Sequence, residues 1–197
     1  MRLVLHYVSA FVGGFLAMSA HIYLYFGSGN WLAPQRLSVT IGNALIFAHL
    51  VALMVIVARD LFPEKRVSRI VIGLIGGTFF GALSWYAHLF LYLYQKTPDL
   101  LTLLAGGFGL SIGFLIAGQL NVQNRWLKTF LASVITAIAI YIPIYFAHQA
   151  HATDVSAQAL LYFQADNPRD VFLIGLPFTI SIAIFGNLPL LLQQELT

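Results

Sequence analysis

Long apolar stretches without a charge recur along this chain, each about as long as one membrane crossing. They occupy about residues 3 to 26, 39 to 58, 70 to 94, 100 to 120, 129 to 148 and 171 to 192. A hydrocarbon core roughly 30 Å thick needs about 20 apolar residues per helical crossing, and a helix satisfies its own backbone there. Six such runs in 197 residues leave room for short connections only. The expected fold is all-α, an integral membrane bundle of about six transmembrane helices forming a single domain over 1–197. Composition agrees, with 59% hydrophobic and 9% charged residues, against roughly a quarter charged in a soluble domain.

Charge placement predicts the orientation. Arg2, the segment holding Arg59, Lys65, Arg66 and Arg69, and the segment holding Arg125 and Lys128 fall on one face. Arg36, Lys96 and Arg169 fall on the other, a seven-to-three split of the ten basic residues. Positive charge is retained on the cytoplasmic side, so both termini are expected to be cytoplasmic, in a bacterial inner membrane or its equivalent. The net charge of +3 is explained by these connections, and nucleic acid is not an expected partner. Ala17-Met18-Ser19-Ala20 has the small residues of a signal-peptide cleavage site, but the apolar run continues to Phe26, longer than a signal core.

The connections carry turn chemistry: Gly27-Ser28-Gly29-Asn30, Phe62-Pro63-Glu64 and the tight Pro98-Asp99, which makes the third and fourth helices neighbours. Only the fifth connection, 149 to 170, has room for a short interfacial helix, at Val155 to Phe163. Tyr23, Tyr25, Trp31, Trp85, Tyr86, Tyr92, Tyr94, Tyr145 and Tyr162 map toward the outer boundary, where amphipathic rings anchor at headgroup level.

Small residues mark the faces on which membrane helices touch. Steps of three and four place Gly73, Gly77, Gly81, Ser84 and His88 on one side of the third helix. Gly106, Gly109, Gly113 and Ala117 form a stripe on the fourth, and His6, Ala10, Gly14, Ala17 and His21 on the first. The first and third stripes share their spacing, as a degenerate parallel repeat would. Pro143, Pro177 and Pro189 break the last two helices, and Pro189 beside Asn187 is the best candidate for a functional break.

The chemistry on offer is narrow. Absence of cysteine removes thiolate nucleophiles and Cys-based metal sites. No Asp, Glu, Lys or Arg falls inside an expected span, so the buried ionisable groups are histidines at 6, 21, 49, 88 and 148, and no catalytic residue is assigned. His21 and His88 lie at equal expected depth, candidate axial ligands for haem b or, singly, a chlorophyll-type pigment. Gly14 and Gly81, two turns inward, would leave space for the flat ring, with Ser84 alongside. His148 and His151 are weaker candidates for a divalent metal. A structural alternative has each histidine bonding a neighbouring backbone or hydroxyl group. Gly109-Leu110-Ser111-Ile112-Gly113 matches a nucleophile-elbow pattern, but it falls mid-helix where that elbow needs a strand-to-helix turn.

No stretch carries a motif specific enough to name a family. The leading expectation is a non-enzymatic membrane subunit, packing through its glycine faces against other membrane subunits or further copies of itself within the lipid bilayer. The alternatives are a small-molecule transporter or its substrate-binding subunit, and a haem- or pigment-holding subunit using His21 and His88.

Overall fold

The computed structural model describes residues 2–31, 34–61, 66–90, 100–151 and 168–192, with side chains described for 2–22, 41–61, 70–87, 100, 103–143 and 175–192. Among these residues there are six helices and no strand. They are α1 (Arg2–Trp31), α2 (Pro34–Val55), α3 (Arg66–Phe90), α4 (Leu100–Ala117), α5 (Arg125–His151) and α6 (Pro168–Asn187). A π turn, Ile56–Asp60, extends α2, and a 3-10 turn, Leu188–Leu191, extends α6. Among the described residues four segments are long and apolar enough to cross a membrane: Arg2–Ile22, Ile41–Asp60, Ile70–Ala87 and Arg125–Pro143. The described parts of the other two helices, Leu103–Ala117 and Gly175–Leu191, are apolar as well.

The helices form a closed ring in which each packs on its neighbours in sequence and α6 returns to α1. Thus α1 packs on α2 and α6, and α2 stands between α1 and α3. The enclosed core includes Met18, Phe47, Val51, Met54, Trp85, Phe114, Ile140 and Phe178. The outer surface is itself apolar: on α5, Trp126, Phe130, Val134, Ile138 and Ile142 recur every fourth residue and are exposed, while Ala132, Thr136 and Ile140 opposite them are buried. Large apolar groups thus cover the outside as well as the core, unlike a bundle in water, whose outer face is polar.

Close approach is set by missing side chains. A Cβ on Gly81 would strike the carbonyl oxygen of Gly107, and one on Gly107 would come within 2.5 Å of the Thr78 carbonyl oxygen, so α3 and α4 meet backbone to backbone. A Cβ on Gly113 would lie 2.6 Å from Thr136 Cα on α5. Gly109 accommodates the Pro143 ring and lies beside the Ala139 carbonyl oxygen. That carbonyl is the one whose helical donor Pro143 removes. Gly73 and Gly77 lie against Ala58 of the π turn.

One aromatic expectation is corrected. Trp85 is not a boundary anchor: it is 1% exposed, in the core, with its indole over Gly106, where a Cβ would lie 2.5 Å away. The absent Gly106 side chain gives an indole enough room to turn inward. Tyr86 is half-buried. The side chains of Tyr23, Tyr25, Trp31, Tyr92, Tyr94, Tyr145 and Tyr162 lie outside the described residues, as does the segment Val155 to Phe163.

Candidate functional site

Residues Ile56-Val57-Ala58-Arg59-Asp60-Leu61 close the second apolar segment, and the helix does not stop where its charges begin. It continues to Asp60 through a π turn, closed by the Leu61 N–H donating to the Ile56 carbonyl at 2.9 Å. The extra residue in such a turn rotates the side chains beyond it by about 100° relative to a regular α-helix. Arg59 and Asp60 both end inside the bundle, with side chains 1% and 2% exposed. The expectation that the buried ionisable groups are histidines is therefore corrected. Opposite charges on adjacent residues neutralise each other, which makes the extension tolerable in an apolar interior.

The pair is tied into a network drawn from α1, α2, α5 and α6. Arg59 Nε donates to Asp60 Oδ1 at 3.0 Å and Nη2 to Oδ2 at 3.1 Å. His6 Nδ1 lies 2.7 Å from Asp60 Oδ2 and 3.3 Å from Arg59 Nη2. One ring nitrogen cannot donate to the first and accept from the second together. The nearer, anionic oxygen takes the proton, so His6 donates to Asp60. Arg59 Nη1 donates to the Gly186 carbonyl at 2.7 Å and to Asn187 Oδ1 at 3.1 Å. The Asn187 amide donates in turn to Thr136 Oγ1 at 3.1 Å and to the Ala183 carbonyl at 2.9 Å.

Pro189 explains why α6 ends there. It has no N–H for the Phe185 carbonyl four residues earlier, and Ser9 Oγ of α1 donates to that carbonyl at 2.5 Å instead. The neighbouring Gly186 carbonyl is the one that receives Arg59. Gly186 also lets the Phe114 ring slide in, since a Cβ there would lie 2.5 Å from it, and the Arg59 guanidinium sits 6.0 Å from that ring's centroid. A broken helix end is thus repaired by hydroxyl and guanidinium groups from other helices. Bonds of this kind can be exchanged for bonds to a polar guest without unfolding a helix.

No protein-family model matches this chain, and neither a curated protein nor a solved structure matches it. Its function is therefore carried by the chemistry of the site alone.

The histidine candidates separate. His21 is 1% exposed and packs edge-on against Phe178 of α6, with ring centroids 5.4 Å apart. The side chains of His88, His148 and His151 lie outside the described residues, so neither the expected axial pair nor the weaker metal pair is described. The space expected over Gly14 and Gly81 is occupied: a Cβ on Gly14 would lie 3.0 Å from Ala48 Cα, and Gly81 is closed by Gly107. Adjacent helices fill both clefts, leaving no gap for a flat ring at either glycine. Ser84 Oγ donates to the Phe80 carbonyl at 2.8 Å, and Ser111 Oγ to the Phe108 carbonyl at 3.2 Å inside unbroken α4. Among the described residues no three His, Asp or Glu side chains are placed to share a metal ion.

Of the residues singled out in the sequence, the structure brings His6, Asn187 and Pro189 to one place and adds Arg59, Asp60 and Thr136. Hydropathy puts those two in a connection. A signal for them is nonetheless present: opposite charges side by side, followed by apolar Leu61-Phe62 and only then by the helix-stopping Pro63.

Proposed function

We propose that this chain is a multi-pass membrane carrier for a small polar solute, with six crossing helices and both termini cytoplasmic. The observation that carries this reading is the enclosed Arg59–Asp60 pair, joined by His6 and Asn187 where α2 leaves regular helix and α6 breaks. Ionisable groups inside membrane bundles are expensive to retain and mark pathways by default. Interrupted helices are where carriers form their solute sites. The seven-to-three charge split supports the orientation, which puts the cluster at the cytoplasmic end.

In this reading the cluster is the closed cytoplasmic gate. Moving the end of α6 away from α1 and the π turn releases Arg59 from Gly186 and Asn187. The freed N–H groups and carbonyls then face the interior, where a small solute with carboxylate or amide groups can satisfy them. The glycine faces are turned toward neighbouring helices of the same bundle, so they lend no support to seating an outside subunit. The filled clefts at Gly14 and Gly81 likewise lend none to a held macrocycle.

The test is flux. Purified chain in proteoliposomes should give uptake or a transient current with at least one of a panel of amino acids, short carboxylates and amides. Arg59→Gln and Asp60→Asn should each abolish it while circular dichroism still shows a helical protein. Absence of flux across the panel in both membrane orientations, or full flux in both variants, would overturn the gate.

A further inference from the structure

A second polar pair lies at the surface between α1 and α2. His49 of α2 is exposed, and its Nδ1 is hydrogen-bonded to the Tyr7 hydroxyl of α1. The Phe11 ring centroid lies 4.8 Å from that of His49 and 6.4 Å from that of Tyr7, the two phenyl rings being nearly parallel at 17°. Around this trio the surface is aliphatic: Val4, Val8 and Val12 on α1, and Leu45, Ile46 and Leu53 on α2, are all exposed.

Depth makes the imidazole conspicuous. His49 is eleven residues before Asp60, which ends the π turn that extends α2. At 1.5 Å per residue that is about 16 Å, close to half of a hydrocarbon core about 30 Å thick. This inference rests on the membrane reading above, which puts His49 near the bilayer midplane, beyond the ester carbonyls and water of the headgroup region. With Nδ1 engaged by Tyr7, Nε2 carries the other hydrogen-bonding role and has no partner among the described residues. An unpaired polar group in hydrocarbon is costly.

We infer that the Tyr7–Phe11–His49 face binds a bilayer-dissolved molecule carrying a carbonyl on a flat ring, of the quinone class. The carbonyl oxygen accepts from His49 Nε2–H, and the ring lies against the nearly parallel Tyr7 and Phe11 rings. A hydrocarbon tail runs along the surrounding valines and leucines. A helix from another protein fits this face poorly. Close helix contact needs small residues; beside the trio, Gly13, Gly14, Ala48 and Ala52 point inward and Val4, Val8, Val12, Leu45, Ile46 and Leu53 are exposed and bulky, which leaves Gly42, two turns along α2, as a small outward position. A thin ring needs no such approach.

The probe is a decyl-tailed azido-1,4-benzoquinone, photoactivated with the chain in lipid nanodiscs, with labelled peptides mapped by mass spectrometry. Label should concentrate on residues 4–12 and 45–53 and be competed away by unlabelled decylbenzoquinone. His49→Leu should reduce it about tenfold, the equivalent of one lost hydrogen bond of about 1.4 kcal/mol. Tyr7→Phe, which keeps the ring stack, should reduce it by less, roughly threefold. Uniform labelling of all outward faces, or full labelling of His49→Leu, would overturn the site. So would a dimer in native mass spectrometry that His49→Leu converts to monomer, because the occupant would then be a second copy. Asp60→Asn should leave labelling intact, so loss of the gate and loss of this site are told apart. Failure of the chain to enter nanodiscs would overturn the membrane reading and this site together.

Discussion

The α3–α4–α5 seam and the cluster joining α1, α2 and α6 hold helices together by opposite means. In the seam Gly81 meets Gly107 and Gly113 meets Thr136, backbone against backbone, with no charge involved. In the cluster Arg59, Asp60, His6 and Asn187 hold the helices through hydrogen bonds between side chains and freed carbonyls. A backbone contact can be kept or lost but has no second arrangement. A hydrogen-bonded cluster can exchange partners. In the proposed carrier, that difference puts rigidity on one side of the ring and rearrangement on the other.

The comparison is tested most severely by removing one charge. Asp60→Leu leaves Arg59 buried without its carboxylate and should destabilise the chain by about 3 to 5 kcal/mol, read as a shift of the unfolding midpoint in an SDS titration. The double change Arg59→Met with Asp60→Leu should recover most of that loss, because the stranded charge is gone. A single variant as stable as the parent would show that the pair does not hold the helices.

Next in size is the seam. Gly107→Val forces a side chain into the α3 backbone and should cost about 1 to 3 kcal/mol or more, with no change in any solute flux per folded molecule. If stability survives and flux falls, the assignment of rigidity and motion is reversed. Asn187→Ala removes the link between Arg59 and Thr136, and a loss of about 1 to 3 kcal/mol is expected from the polar groups left unmatched, measured in the same titration.

The smaller effects sharpen the picture. Ser9→Ala withdraws the hydroxyl that replaces the donor missing at Pro189 and should lower stability by about 1 kcal/mol. Gly42→Ala is the control: nothing lies within 4 Å of a Cβ there. The substitution should be neutral or stabilising by about 0.5 to 1 kcal/mol through helix propensity. A marked loss at Gly42 would mean that this face is covered by something outside the chain.

Much of the bundle is legible in the residues alone. Apolar runs, turn residues and stripes at steps of three and four are local properties. Placing His6, Ala10, Gly14, Ala17 and His21 on one face requires only helical geometry, and all five are buried. Pro189 beside Asn187 is visible as a break for the same reason. What a face meets is not local. The Gly73–Gly81 stripe fits a neighbouring helix, an outside partner or a flat ligand equally well in one dimension, and only the packing of α3 on α4 and the π turn decides among them. Trp85 shows the same limit, since an indole near a helix end turns inward only because Gly106 of another helix leaves room. Arg59 and Asp60 mark the deepest division. Hydropathy adds residues one at a time and expels both from the span. The folded chain neutralises them jointly, with His6 fifty-three residues away and Gly186 a hundred and twenty-seven, and that cooperation between distant segments exists only in three dimensions.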